Sequence, residues 1–146
     1  MYQHILISTD GSEVAQKGLD HGLALAKGLG AKVTILTVTE RLPAHARIDG
    51  GLTAFSYEDY AAGQKEAADK VLAAAREAAS RAGVEAHTVY LENVVPAEAI
   101  IETATSRNCS LIAMSSHGRR GLGRLVLGSV TAEVLARSPV PVLVVR

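Results

Sequence analysis

Apolar and polar residues follow one another along this chain in blocks whose lengths and periods predict alternating strands and helices. Several short runs are almost continuously apolar, as expected for strands that are covered on both faces of a sheet. They are residues 5–8, 32–38, 85–91, 111–115 and 140–145. Between these runs the apolar residues recur at helical spacing. The pattern predicts five strands and four helices in the order βαβαβαβαβ.

Glycine and proline mark the ends of the predicted helices. The first contains the apolar face of residues 14–29 and ends at Gly28-Leu29-Gly30, and the second spans about 57–82 before Gly83. The third spans 97–107, with Pro96 suited to its first turn. The fourth begins at Gly128-Ser129 and ends before Ser138-Pro139.

Strands that alternate with helices predict an open parallel sheet with helices on both faces. Ligands of such sheets bind beyond the carboxyl ends of the strands, where the strand order reverses. We assume the order 3-2-1-4-5, which occurs in doubly wound folds, because periodicity alone does not fix it. In that order the connections at 9–12 and 115–131 meet. The irregular segment 41–56 is expected to be a mobile loop over the same edge.

Composition narrows the possible functions. The chain has 146 residues, of which 48% are hydrophobic, so one domain spanning 1–146 is expected. Fifteen basic and fifteen acidic residues give no net field for nucleic acid or an anionic membrane, and an aromatic content of 3% without Trp argues against stacking platforms for single-stranded nucleic acid. The sole cysteine, Cys109, is expected to be buried rather than reactive. Without a basic leader or a long apolar segment, a soluble, cytoplasmic protein is expected.

The glycine-rich connection after the fourth strand does not match three well-known phosphate sites. The chain has no G-x-x-x-x-G-K-[ST] motif, which excludes a P-loop. The run Gly121-Leu122-Gly123-Arg124-Leu125-Val126 lacks the third glycine of a dinucleotide fingerprint and does not follow the first strand. A receiver domain needs an Asp after the third strand, where Glu92-Asn93 stands, and a later Lys, but no Lys follows Lys70.

The start of the fourth helix is a candidate anion site. Gly128 allows the backbone to approach closely, and the free N–H groups of a helix N-terminus attract phosphate oxygens. Ser129 and Thr131 add hydroxyl donors. An alternative of equal weight is that Ser129 only caps the helix, which contributes about 1 kcal/mol.

Two further features of the connection allow alternative interpretations. His117, followed by Gly118, is either an exposed loop histidine or a donor to a phosphate or ribose. The basic side chains either screen a polyphosphate or form a solvated loop. They belong to Arg119, Arg120 and Arg124.

Asp10 ends the first strand and has two possible roles. It is a helix cap, with Glu13 three residues later completing a capping box, or it binds a ribose hydroxyl or a divalent cation. A carboxylate repels phosphate. A ligand that combines a sugar with phosphates therefore explains this edge better than phosphate alone.

These residues resemble the universal stress protein family over essentially the whole chain. The resemblance lies in the opening Ile5-Leu6-Ile7-Ser8-Thr9-Asp10-Gly11-Ser12, in Ser115-Ser116-His117-Gly118 nine residues before Gly128-Ser129, and in the ending at 139–145. The ATP-binding branch carries G-x2-G-x9-G-[ST], which this chain matches at Gly118, Gly128 and Ser129. It departs at the first glycine, which is Ser115 here, and a side chain at that position is expected to weaken or alter binding.

The resemblance implies a Rossmann-like fold related to the adenine nucleotide alpha hydrolases, with the order 3-2-1-4-5, and a nucleotide site. Adenine and ribose would lie near Thr9, Asp10, Val38 and Met114. The phosphates would meet Ser115, His117, Gly118, Gly128, Ser129, Val130 and Thr131. The resemblance also implies ATP or another adenine nucleotide as ligand, Mg²⁺ arriving with it, and a homodimer joined along 140–145.

The leading hypothesis is a cytoplasmic ATP-binding stress protein that hydrolyses ATP slowly at most, because no nucleophile, aligned base or transition-state arginine is identified. The second is a dimeric interaction protein of the same fold that does not bind ATP. The third, an enzyme of another α/β class, rests on the fold alone.

Overall fold

The computed structural model of the chain describes residues 1–42, 54–119 and 126–146, without the side chains of 54–56. The five strands are β1 (His4–Ser8), β2 (Lys32–Glu40), β3 (Ala86–Val94), β4 (Leu111–Ser115) and β5 (Val142–Val145). The four helices are α1 (Glu13–Leu29), α2 (Ala54–Ala82), α3 (Pro96–Ser106) and α4 (Ser129–Arg137). The expected order of elements is therefore confirmed.

All strands are parallel and form one sheet in the order β3-β2-β1-β4-β5. The central strand β1 pairs with β2 and β4, so that Ile5 faces Val33 on one side and Leu111 on the other. This arrangement confirms the predicted α/β class and the assumed order. The strand order reverses between β1 and β4, and the carboxyl ends of these two strands are adjacent.

The side chains of the sheet divide between two cores, as the alternation along a strand requires. Ile5 and Ile7 of β1 lie in one core with the apolar faces of α1 and α2, whereas Leu6 lies in the other with residues of α3 and α4. All three are fully buried. The near-continuous apolar runs in the sequence reflect this burial on both faces.

Helix α1 packs very closely on the centre of the sheet because small residues face it. A Cβ added at Gly22 would lie 2.6 Å from Cδ1 of Ile7. The helix ends at Gly30, whose φ of 65° is the left-handed conformation favoured by glycine. Of the two roles considered for Asp10, the helix cap with Glu13 is wrong, because Ser12 is the N-cap and its Oγ accepts from the amide of Ala15 at 3.2 Å.

Three strands differ from the predicted runs by two or more residues at one end. Strand β2 continues to Glu40 rather than ending at 38. Strand β5 begins at Val142 rather than at 140, because Ser138 and Val140 form a turn in which the Ser138 hydroxyl bonds both the N–H and the C=O of Val140. Strand β3 continues to Val94 and includes Asn93, whose φ of 56° accompanies a register shift against β2. Of the predicted loop at 41–56, residues 54–56 belong to α2 and 43–53 lie outside the described residues.

The sole cysteine is buried, as the sequence predicts. Cys109 is 4% exposed, and burial raises the pKa of its thiol. None of the helices in the described ranges is long and apolar enough to cross a membrane.

Candidate functional site

The connection after β1 is fixed by hydrogen bonds to β2. The amide of Thr9 donates to the carbonyl of Leu36 at 3.0 Å, and the hydroxyl of Thr37 donates to the carbonyl of Thr9 at 2.8 Å. The Thr9 hydroxyl accepts from the amide of Gly11 at 3.2 Å. Thr9 is buried, so the chain leaves the sheet here in a defined direction.

Asp10 joins this connection to the one that follows β4. Its Oδ1 accepts from the amide of Ser12 at 2.9 Å, and its Oδ2 accepts from the amide of Arg119 at 3.0 Å. The Arg119 guanidinium donates to the carbonyl of Asp10 at 2.8 Å. A Cβ added at Gly118 would lie 2.6 Å from Oδ2 of Asp10. The two loops that the sequence predicts to meet are therefore in direct contact, and the close approach requires a glycine.

The end of β4 holds His117 through two serine hydroxyls. Ser115 donates to the carbonyl of His117 at 2.8 Å, and Oγ of Ser116 lies 2.9 Å from Nδ1 of the imidazole. Both serines are buried, whereas the His117 side chain is half-buried. The imidazole is thus fixed to its own loop rather than solvated freely.

Ser115 and the apolar pair Val38 and Met114 belong to opposite faces of the sheet. Met114 and Val38 contact the core beneath α3 and α4. Ser115 follows Met114, and side chains alternate along a strand. The backbone of Ser115 is covered by α1, since a Cβ added at Gly18 would lie 3.1 Å from its amide nitrogen. The serine that departs from the family motif therefore does not add its side chain to the face that carries Val38 and Met114.

Helix α4 begins without a side-chain cap. Its N-cap is Gly128, and Ser129 is the first helical residue, so the interpretation of Ser129 as the cap is wrong. The amide of Gly128 donates to the carbonyl of Ser116 at 2.8 Å, and a Cβ at Gly128 would lie 3.1 Å from Cα of His117. The first-turn amides of a helix have no partner within it. The helix start lies against His117, where a side chain at residue 128 would be tightly packed.

The hydroxyl groups of the first turn differ in their surroundings. Ser129 is exposed, whereas Thr131 is buried and donates to the carbonyl of Ser115 at 3.0 Å. Because this hydroxyl hydrogen is already bonded to a carbonyl of β4, Thr131 can offer a ligand its backbone amide but not its side-chain donor. Val130 is half-buried and packs toward the core beneath α4.

The structure thus brings most of the sequence-predicted residues to one edge of the sheet. The loops after β1 and β4 supply Thr9, Asp10, His117 and Gly118, and strands β2 and β4 supply Val38, Met114 and Ser115. Helix α4 begins at the same edge with Gly128, Ser129, Val130 and Thr131. Arg119 contacts Asp10, and Arg120 and Arg124 lie outside the described residues. Sequence reasoning missed Ser116, for which the only signal was a hydroxyl beside a histidine.

A separate shallow cleft lies between the start of α2 and the ends of β2 and β3. Three of the four tyrosines line it, and none of the predicted site residues does. Among the residues that the structure describes, no group of three or more His, Cys, Asp or Glu side chains is placed to hold a metal ion.

Comparison with known proteins assigns the chain to a family. Residues 1–146 match the universal stress protein family. The universal stress protein MJ0531 of Methanocaldococcus jannaschii is 35% identical over 146 residues, which are 100% of this chain and 83% of that protein.

Solved structures agree with this assignment. The hypothetical protein MJ0577 has a TM-score of 0.81 at 30% identity, with 99% of this chain and 96% of that chain covered. A universal stress protein in complex with cAMP has a TM-score of 0.68 at 25% identity, with 99% and 97% covered. Together with the matched sheet order and the loops at its edge, these likenesses show that the chain belongs to the universal stress protein family.

Proposed function

We propose that this chain binds an adenine nucleotide, ATP, at the edge formed by the β1 and β4 loops and the start of α4. The observation that carries the proposal is the uncapped N-terminus of α4 beside Gly128 and His117. Free first-turn amides and the positive end of the helix dipole attract phosphate oxygens. The glycine leaves the space that a side chain would otherwise fill.

The rest of the edge suits a nucleoside. Val38 and Met114 stand on strands either side of β1 and on the same face of the sheet. Val38 is half-buried and offers a base an apolar contact, whereas Met114 is 5% exposed and contributes mainly to the core. Asp10 is half-buried at the end of β1, which lies between β2 and β4, and its carboxylate accepts hydrogen bonds from two amides. Further acceptor positions on these oxygens suit a ribose hydroxyl.

The universal stress protein that was solved with cAMP supports an adenine ligand for this fold and family. We choose ATP because the phosphate-binding residues of the ATP-binding branch are present at Gly118, Gly128 and Ser129. Ser115 does not block this choice, since it follows Met114 on the opposite face and its hydroxyl is used by His117. Magnesium is expected to arrive with the nucleotide, and hydrolysis is expected to be slow at most.

We further propose that two copies of the chain pair along β5 and that the protein acts in the cytoplasm as a nucleotide-dependent module of the stress response. Strand β5 is an edge of the sheet, and an apolar edge strand that stays unpaired invites aggregation. Pairing of two such edges about a two-fold axis removes that hazard. Light scattering over a range of concentrations should give twice the mass of one chain, and a monomer at all concentrations would end this part of the proposal.

Titration with Mg-ATP tests the nucleotide site. At 100 times the dissociation constant, ATP should raise the free energy of unfolding by about 2.7 kcal/mol. Gly128→Val should abolish the gain, because its side chain would press on the His117 backbone, while Gly63→Val, at a site with no atoms within 4 Å, serves as the control. No stabilisation of the unsubstituted protein at millimolar ATP would refute ATP binding and favour an interaction protein of the same fold.

A further inference from the structure

His117 is held at three points of its own loop. Its carbonyl accepts from Ser115 at 2.8 Å, its Nδ1 lies 2.9 Å from Oγ of Ser116, and its Cα lies under Gly128, where an added Cβ would approach to 3.1 Å. These contacts restrict the backbone and the ring together. Within the described residues, Nε2 is the ring nitrogen left available for a ligand.

Ser116 is itself fixed by the sheet and by α4. Its amide donates to the carbonyl of Val145 at 2.8 Å, and its carbonyl accepts from the amide of Gly128 at 2.8 Å. The residue is 5% exposed. The backbone of Ser116 is therefore fixed by hydrogen bonds at both its amide and its carbonyl, and this holds the short side chain with its hydroxyl beside the imidazole.

We infer that Ser116 is a positioning residue whose hydroxyl donates to Nδ1 of His117 and so keeps the imidazole hydrogen on Nε2. In a neutral imidazole one nitrogen donates and the other accepts. A serine hydroxyl can do either, but among the described residues Nδ1 of His117 is the one hydrogen-bond partner of the buried Ser116 hydroxyl, so only donation to Nδ1 gives the hydroxyl hydrogen an acceptor. With Nδ1 as acceptor, the uncharged ring offers an N–H donor at Nε2. An anionic group at the start of α4 then gains a donor without a protonated histidine.

The predicted effect on ligand binding rests on the proposed function, whereas the prediction of the His117 tautomer does not. Correlation spectra of the ¹⁵N-labelled full chain at about pH 8, where histidine side chains are ordinarily neutral, distinguish a protonated from an unprotonated ring nitrogen. The His117 signals are assigned by their loss in His117→Gln. We expect Nδ1 to be unprotonated and Nε2 to carry the hydrogen. A protonated Nδ1 in the unsubstituted protein overturns the inference, and this measurement needs no variant that might fail to fold.

Variants test whether Ser116 is responsible. Ser116→Ala should reduce the ¹⁵N shift difference between the two ring nitrogens, and Ser116→Thr, which retains the hydroxyl, should restore it. Ser106→Ala, which removes a hydroxyl bonded only to the carbonyl of Thr103, is the control and should leave the spectrum unchanged. An identical His117 spectrum in Ser116→Ala overturns the assignment of the role to Ser116.

Binding of Mg-ATP and of inorganic phosphate completes the test. Ser116→Ala should weaken Mg-ATP binding about three- to tenfold, as the loss of one orienting hydrogen bond implies, and Ser116→Thr should recover most of it. If the expected tautomer is found but no probe binds, the proposed function fails and the positioning role stands. If Mg-ATP binds with the same affinity to Ser116→Ala, the inferred role in binding fails and the proposed function stands.

Discussion

The close contact between α1 and β1 makes a prediction that two helical glycines can test. Gly22 lies in the middle of α1 and Gly63 well inside α2, so replacement by Ala gives each a similar gain in helix propensity, about 1 kcal/mol. The Cβ of the Gly22→Ala variant would lie 2.6 Å from Cδ1 and 2.9 Å from Cγ1 of Ile7, whereas at Gly63 no atom outside the backbone of its own helix lies within 4 Å. Only the first substitution therefore carries a packing cost.

The magnitude of that cost follows from the surroundings of Ile7. The side chain is fully buried between α1 and the sheet, so its end has no free space to move into. Overpacking of such a core costs about 1–3 kcal/mol. Gly63→Ala should thus stabilise the protein by up to about 1 kcal/mol, while Gly22→Ala should range from neutral to about 2 kcal/mol destabilising.

Urea denaturation of the two variants measures the difference directly, because the propensity gain cancels between them. We expect Gly22→Ala to be about 1–3 kcal/mol less stable than Gly63→Ala, and each kcal/mol should lower the melting temperature by about 2–4 °C. Ile7→Val removes the Cδ1 atom, so the double variant with Gly22→Ala should show favourable coupling in a double-mutant cycle. Equal stability of the two single variants, or an absence of coupling, would refute the reasoning.

Three other predictions concern the loops and the buried titratable groups. Asp10→Ala removes the acceptor for two loop amides, so it should lower the free energy of unfolding by about 1–2 kcal/mol and weaken Mg-ATP binding. Asp10→Asn should lose less of both, and an Ala variant with unchanged stability would contradict the contact with Arg119. His4 is 7% exposed, and its pKa is lowered, first by burial and next by the charge of Lys32. Below about pH 6.5 the unfolded chain therefore binds a proton more readily than the folded protein, and the free energy of unfolding should fall as the pH is lowered. The denaturation midpoint should lose this pH dependence in His4→Gln but keep it in His87→Gln, the exposed control. Cys109 has a raised thiol pKa because it is buried, and it should react with a thiol reagent slowly in the native protein and rapidly in denaturant; rapid native reaction would contradict its burial.

The number and order of the elements could be predicted from the sequence because a sheet buried on both faces requires nearly continuous apolar strands. The pairing order could not be obtained in this way, since any strand with two buried faces, such as β1 or β4, fits several positions in a sheet. The resemblance to the family supplied the order, and the structure confirmed it.

The ends of elements depended on polar contacts that the period of apolar residues does not contain. Asp10 and Ser12 are both good caps by residue type, and only the geometry shows that Ser12 caps α1 while Asp10 reaches across to Arg119. The late start of β5 depends in the same way on the turn made by Ser138.

The candidate site was predicted as a set of residues but not as an arrangement. The sequence placed Ser115 at the position of a motif glycine and suggested a side chain close to the ligand. Strand alternation instead places it on the opposite face from Met114, with its hydroxyl on the carbonyl of His117. Which face the last residue of a strand uses depends on register, and register depends on partners far away in the chain.

The hydrogen bond from the amide of Gly128 to the carbonyl of Ser116 closes the base of the connection between β4 and α4. Since the two ends are joined there, changes in length within the connection need not shift the helix. Doubling the length of a flexible loop costs only about 0.6 kcal/mol in closure entropy. Relatives and engineered variants can therefore carry insertions between Arg119 and Gly128, including epitope or reporter peptides, while His117 keeps its contacts and the start of α4 stays in register with the sheet.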